Sequence, residues 1–323
     1  MEHMRWGVLG ASSFARKQMA RAIHAAEGNR LAALATSSPA KAEGFAAFAP
    51  DLVVYDDYDA LLAAGDIDAV YIPLPNHLHV EWTLKALRAG KHVLCEKPVA
   101  MQAGDFDRLI EARDKAGKLA AEAFMIVHHP QWHKARDLLA EGAIGRLRLV
   151  DTVFAYNNPD PENVRNRSGM GGGGLRDIGV YTFGATRFVT GAEPETLHAT
   201  LEMEGDFDTF AQITAGFPGF AYHAVVSMRL AARQYVTFHG EDGYMTLTAP
   251  FNARVYDMAE LHLRRQDSFE TRTWRWPGVD QYVCQVEAFA AAARKGTPYA
   301  WPLEAARGTQ EMIDRAFAAG GVA

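Results

Sequence analysis

Short apolar runs alternate with amphipathic windows through the first part of the chain. Trp6–Gly10, Leu31–Ala35, Leu52–Tyr55, Ala69–Ile72, His92–Cys95 and Leu119–Ala121 read as buried strands. Phe14–Ala26, Lys41–Phe48, His77–Ala89 and Asp105–Ala116 fit helices between them. In the third helix Val80, Leu84 and Leu87 share one face, Asn76 stands at the N-cap and Gly90 at the stop. Gly117 ends the fourth. A βαβα order of this kind predicts a parallel, doubly wound sheet.

The pattern changes after Phe124. One helix, Gln131–Ala140, precedes a strand at Leu147–Tyr156, and a glycine-rich loop leads into a helix over Ile178–Val189. Period-two alternation then dominates: 197–203, Phe207–Phe217, Phe220–Met228, Tyr235–His239 and Tyr244–Leu247, with Glu241-Asp242-Gly243 as a hairpin turn. That predicts a large, mainly antiparallel sheet with one face solvated or covered by a partner. Helices over Val283–Arg294 and Leu303–Phe317 close the chain.

Composition narrows the function classes. With 323 residues the chain suits two domains, and 49% hydrophobic with 22% charged residues describes a folded, globular protein. The net charge of −6 and the lack of a basic cluster beyond Arg264–Arg265 argue against a nucleic-acid partner. Cys95 and Cys284 provide no disulfide framework and no zinc spacing, so no metal site is expected. The segment Thr209–Met228 lacks charge but alternates in period two, which predicts a hairpin and no membrane span. The first residues, Met1 to Trp6, lack the regions of an export signal, and a cytoplasmic location is expected.

Gly10-Ala-Ser12-Ser13-Phe14-Ala15 follows the first strand and opens the first helix, the position of a dinucleotide fingerprint. Ser12 replaces the middle glycine, and Ala15 permits close helix–strand packing. A plain βα turn is the competing reading. The second strand ends in Thr36-Ser37-Ser38 with no acid to hold a ribose 2′-hydroxyl, and Lys41 follows one turn later. A carboxylate there would repel a 2′-phosphate, so its absence favours NADP(H) over NAD. Alternatively, these residues merely cap the next helix. Glu96-Lys97-Pro98 ends the fifth strand at the sheet edge where ligands bind, and a lysine there could hold a substrate hydroxyl.

The stretches 68–79, 89–98, 122–125, 129–131, 142–145 and 171–181 together resemble the glucose–fructose oxidoreductase / inositol dehydrogenase (GFO/IDH/MocA) family. The resemblance spans essentially the whole chain. It implies an α/β protein: a Rossmann domain at residues 1–122, then a substrate-binding α/β domain at 123–323. The second domain's large open, mainly antiparallel sheet would join homodimers or homotetramers. It also implies that Pro73, Asn76, His79 and Glu96 lie with the cofactor and that Lys97–Pro98 is cis. Lys97 would sit beside the nicotinamide and the reacting hydroxyl, with Asp177 and Tyr181 completing the site.

Asp177 and Tyr181 stand four apart at a helix start and share a face. A tyrosine of ordinary pKa ~10 is a poor base, and a nearby Lys97 ammonium would favour its phenolate. Tyr181 is then expected to take the hydroxyl proton, Lys97 to hold the substrate oxygen, and Asp177 to bind an adjacent hydroxyl or orient Lys97. A simple N-cap is the other reading of Asp177.

Arg165 and Asn166, in a segment resembling the substrate loop of sugar-acting members, are candidates for gripping hydroxyls. Gly171–Gly174 would let backbone pass close to ligand. Related aldose dehydrogenases often carry an arginine where Val127 stands here, with His128 beside it as a substitute or a packed histidine. The expected activity is NADP(H)-dependent sugar oxidoreduction, first of all oxidation of an aldose at C1 to a lactone, with tightly held cofactor coupling two sugars as a close variant. Redox-assisted glycosidases or lyases, and non-catalytic regulators on the same fold, are the alternatives.

Overall fold

The computed structural model describes residues 3–167, 169–268 and 270–322. Met1 and Glu2 of the N-terminal reading lie outside them. The chain divides into two compact units, Met1–Met125 with Asp280–Ala306, and Ile126–Val279 with Arg307–Ala323. This corrects the contiguous boundary at 122/123, because a late segment returns to the first unit.

In the first unit, β1 (Met4–Leu9), β2 (Asn29–Ala35), β3 (Val53–Tyr55), β4 (Ala69–Ile72), β5 (His92–Cys95) and β6 (Ala120–Glu122) form one sheet. All pairings are parallel, in the order β3-β2-β1-β4-β5-β6. The order reverses between β1 and β4, which opens a crevice at their carboxyl ends. A π-wound turn, Ala15–Met19, runs into α1 (Ala20–Ala25), followed by α2 (Pro39–Ala46), α3 (Tyr58–Ala63), α4 (His79–Arg88) and α5 (Asp105–Ala116). Gly117 closes α5 at φ 60°, the left-handed conformation expected of a stop glycine. Asn76 opens a 3₁₀ turn, Asn76–Leu78, and α4 starts later than expected, at His79.

The returning segment carries α8 (Gln281–Lys295), and apolar burial explains its place. Trp6 and Phe289 are fully buried with ring centroids 5.1 Å apart, and the Trp6 indole donates to Asn29 Oδ1 at 2.8 Å. Trp301 stacks on Phe124 at 4.6 Å and donates to Glu122 Oε1. Rings of this size dominate core energetics, so β1 and β6 each lean on the late segment.

The second unit holds α6 (Pro130–Ala140), α7 (Val180–Thr190) and most of α9 (Leu303–Ala319). Its strands are β7 (Leu147–Asn157), β8 (Thr196–Glu204), β9 (Phe207–Phe217), β10 (Phe220–Ser227), β11 (Arg229–Gly240), β12 (Gly243–Leu247), β13 (Glu260–Arg265) and β14 (Thr271–Arg275). They form one sheet in the order β14-β13-β12-β11-β7-β10-β9-β8. The β7–β10 pairing is parallel and the others are antiparallel. The two hairpin turns stand where expected, at Pro218-Gly219 and Glu241-Asp242. β13 and β14 extend the sheet beyond the expected strands, and β11 starts at Arg229, ahead of the expected Tyr235. Among the described residues no helix is long and apolar enough to cross a membrane, and no cluster of metal-ligating side chains occurs.

Candidate active site

The first unit gathers the expected cofactor residues along one sheet edge. Gly10, Pro73 and Glu96 directly follow β1, β4 and β5, which run side by side. Gly10 has φ +103°, a conformation that favours glycine, and a Cβ there would lie 2.9 Å from Leu74 Cδ2. Ser12 Oγ accepts from the Ala15 amide at 3.0 Å and the Ser12 carbonyl from Arg16 N. Ser12 thus caps the opening turn, which is the use the chain makes of its departure from the glycine fingerprint. Ser13 and Phe14 are exposed beside it, and the Phe14 ring meets Tyr282 edge-on at 5.7 Å.

The end of β2 fits a phosphorylated ribose. Ser37 and Lys41 are exposed, Ser38 is half-buried, and no carboxylate occurs from Ala35 to Lys41. The Ser38 amide donates to Thr36 Oγ1 at 3.2 Å, while its side chain makes no capping bond to α2. Ser38 nonetheless occupies the N-cap position of α2, as the capping alternative expects.

Lys97 follows a carboxylate fixed on both sides. Tyr71 donates its hydroxyl to Glu96 Oε1 at 2.5 Å, and the Lys97 amide donates to Glu96 Oε2 at 3.3 Å. Glu96 is therefore a bracket between β4 and the Lys97 backbone. Burial, reinforced by Glu96, pushes the Tyr71 phenol well above its ordinary range. The Lys97–Pro98 bond is cis. Beyond it, the Val99 amide donates to Glu122 Oε2 at 3.0 Å. Burial raises the Glu122 carboxyl, with the Val99 amide, the Trp301 indole and Lys97 opposing.

His79 is a correction. It is fully buried, with Nδ1 2.8 Å from the Pro98 carbonyl and Nε2 2.7 Å from the Leu74 carbonyl. Both ring nitrogens are spent on backbone, so it ties the 74 loop to the Lys97–Pro98 loop and does not reach a ligand. Pro73 is buried at the end of β4, and Asn76 is half-buried in its 3₁₀ turn.

In the second unit a π-wound turn, Leu175–Gly179, leads into α7 and carries Asp177, with Tyr181 one turn on. Asp177 Oδ2 lies 2.7 Å from Arg165 Nε and accepts the Tyr156 hydroxyl at 2.7 Å. Asp177 raises the Arg165 guanidinium above its ordinary range, and Tyr181 contributes to the same effect. The Tyr156 phenol is raised, first by burial and then by Asp177. Tyr181 is 6% exposed and packs against Phe154 and Phe251.

Three expectations change here. Arg165 pairs with Asp177 through Nε, so part of its guanidinium is committed to the carboxylate. Asn166 donates to the carbonyls of Asn158 and Asp160 at 2.8 and 2.7 Å and accepts from Arg229, so it closes its own loop. The glycine run approaches protein: a Cβ on Gly172 would lie 2.3 Å from the Arg165 carbonyl, and one on Gly173 2.3 Å from Asp208 Oδ1. Val127 is buried, and burial holds His128 down at about 3, a packed neutral histidine. Tyr156 and Asp208 escaped the sequence reading. Tyr156 carried one weak signal, its place at the end of a strand preceding the presumed substrate loop.

Residues 4–124 match the family model described as an oxidoreductase family with an NAD-binding Rossmann fold, and residues 132–246 match the GFO/IDH/MocA C-terminal domain. The chain is 35% identical to a dTDP-3,4-didehydro-2,6-dideoxy-alpha-D-glucose 3-reductase of Streptomyces violaceoruber, covering 90% of this chain and 86% of that one. It is 31% identical to D-xylose 1-dehydrogenase (NADP(+)) 2 of Haloferax volcanii, over 91% and 90%. Among solved structures it resembles a 3-ketoreductase from Actinomadura kijaniata in complex with NADP and TDP-benzene. That match has TM-score 0.90 and 31% identity, and covers 98% of both chains.

Proposed function

Because the chain belongs to the GFO/IDH/MocA oxidoreductase family, we propose that it is an NADP(H)-dependent enzyme interconverting a hydroxyl and a carbonyl on a sugar ring. Reduction of a keto group on a nucleotide-linked sugar is the first reaction to test. The similarity to 3-ketoreductases over most of the chain supports it. The observation that carries a proton-exchanging role is the pairing of Asp177 with Arg165 and Tyr156, one turn before Tyr181.

The first unit fits the cofactor. The capped turn at Ser12, with Gly10, Ser13 and Phe14, offers a helix N-terminus to a diphosphate. Ser37, Ser38 and Lys41 offer hydrogen bonds and positive charge to a 2′-phosphate. When bound, the nicotinamide supplies the two-electron redox chemistry. Lys97, fixed through its amide by Glu96, hydrogen bonds the reacting oxygen and stabilises its negative charge. Tyr181 gives that oxygen a proton in reduction and takes it back in oxidation. Asp177 orients the substrate through a neighbouring hydroxyl. The half-exposed face of the eight-stranded sheet is proposed as the surface through which copies associate as dimers or tetramers.

Oxidation of an aldose at C1 is the second reading, supported by the similarity to the xylose dehydrogenase. The two separate in one experiment. Purified protein is given NADPH with a panel of nucleotide-linked ketosugars, and NADP with a panel of aldoses, while reduced-nicotinamide absorbance is followed. Turnover in the first arm that Tyr181→Phe and Lys97→Ala abolish supports the ketoreductase. Turnover confined to the second arm replaces it with aldose oxidation. Silence in both arms, or a Lys97→Ala variant as active as the parent, sinks the reading.

A further inference from the structure

The helix that carries Asp177 and Tyr181 begins without a cap of its own: Gly174 holds the N-cap position and has no side chain to offer. Its first amide is satisfied from elsewhere in the sequence. Asp208, on β9 and fully buried, accepts the Leu175 amide through Oδ2 at 2.8 Å. Two residues earlier, in the turn that leads from β8 into β9, Asp206 Oδ2 accepts the Gly169 amide at 2.7 Å. The β8–β9 turn thus grips both ends of the segment 169–175.

The glycines are what admit this grip. Gly173 has φ +100°, and its Cβ would fall 2.3 Å from Asp208 Oδ1. A Cβ on Gly174 would fall 3.1 Å from Asp208 Oδ2. The same segment docks the Arg165 backbone, whose carbonyl accepts the Gly173 amide at 3.1 Å, so the grip also sets where the Arg165 guanidinium starts from. Burying a carboxylate is costly, and burial pushes Asp208 up to about 6 while the Leu175 and Gly174 amides oppose. What fixes the helix start is the geometry: a fully buried carboxylate oxygen 2.8 Å from the Leu175 amide.

We propose that Asp208 is a positioning residue for the Asp177–Tyr181 helix, acting with Asp206 as a two-point clamp on the glycine segment. This rests on the reading that Asp177 and Tyr181 serve the reaction. Asp208→Asn keeps the shape and one acceptor but loses the charge. It is expected to lower kcat about tenfold with sugar KM and NADPH Kd within about twofold of the parent. Amide hydrogen exchange should accelerate at residues 174–178 and not across β1–β6. Asp206→Asn, on an exposed turn, is the second variant, with faster exchange at Gly169 and a smaller loss of kcat.

Parental kcat together with parental exchange at 174–178 in Asp208→Asn would overturn the clamp. If that variant does not fold, parental exchange at Gly169 in Asp206→Asn does the same. Tyr181→Phe run alongside separates the two ideas: an undiminished Tyr181→Phe removes the functional reading, while the exchange measurements still judge the clamp.

Discussion

Arg165 Nε and Asp177 Oδ2 lie 2.7 Å apart, and the same carboxylate oxygen accepts the Tyr156 hydroxyl. A side chain picked out as a sugar ligand is thus the counter-ion of a proposed catalytic carboxylate. Arg165→Met should reduce kcat about tenfold or more, whereas a lost sugar contact would raise KM at constant kcat. Arg165→Lys should recover only part, since a compact ammonium does not reproduce a guanidinium's directed bonds. Steady-state kinetics decide this. A pure KM effect would return Arg165 to the substrate.

Tyr156→Phe removes one hydrogen bond to Asp177 and leaves the ion pair. Its stability cost is expected at about 1 kcal/mol, the usual worth of a single bond. In a double-mutant cycle the losses of kcat from Tyr156→Phe and Arg165→Met should not add, because both act on one oxygen. Strict additivity would separate the two residues.

The Rossmann half was legible because its central strands are short apolar runs separated by windows of helical periodicity. Local signals of that kind survive folding. Phe289 gave no comparable sign of its destination: an amphipathic helix announces that it packs, not against what. β13 carried the same alternation, with Leu261 and Leu263 buried between Glu260, His262 and Arg264, but over too few apolar positions to stand out, and β14 has Trp274 as its one apolar residue. At the site, Lys97, Asp177 and Tyr181 were named from a motif, whereas Tyr156 and Asp208 were not. Their roles arise from partners on other elements, which no spacing encodes. The glycine run was visible and misread for the same reason. Its close neighbour is Asp208, distant in sequence.

The β2 end predicts a charge-based cofactor preference. Ser37→Asp places a carboxylate where a 2′-phosphate would be repelled and a 2′-hydroxyl accepted. Its Kd for NADPH should rise at least tenfold relative to that for NADH. Lys41→Ala should shift the ratio in the same direction, by less. Titration of both reduced cofactors into parent and variants measures this. An unchanged ratio in Ser37→Asp would move the phosphate site elsewhere.

Two histidines make stability depend on pH. Burial lowers His128 from 6.5 to about 3 and His92 from 6.5 to about 4. Between those values and 6.5 the unfolded chain binds protons that the folded chain refuses. Their contribution is therefore present above 6.5 and lost as pH falls toward the folded pKa values. For His128 the loss by about pH 5 is about 2 kcal/mol. Asp208 runs the other way, because its raised pKa favours the folded state as pH falls. Urea unfolding at about pH 7 and about pH 5 should show a smaller difference in His128→Gln than in the parent. Equal pH dependence in the two would place His128 in contact with solvent.

The return of α8 to the first unit predicts how that unit fails. Phe289 is fully buried against Trp6 and meets Tyr299 edge-on at 5.7 Å. Phe289→Ala leaves a cavity beside β1, at a cost of about 3–5 kcal/mol. Because β1 leads directly into Gly10, the damage should also weaken NADPH binding. A fragment spanning residues 1–125 lacks α8 entirely, and Trp6 and Phe124 lose the rings that cover them. It should show reduced cooperativity in urea unfolding and bind dyes that report exposed apolar surface. Adding residues 280–306 through a flexible linker should restore a sharp transition. A fragment 1–125 that unfolds as cooperatively as the linked version would mean that the first unit is complete without its returning segment.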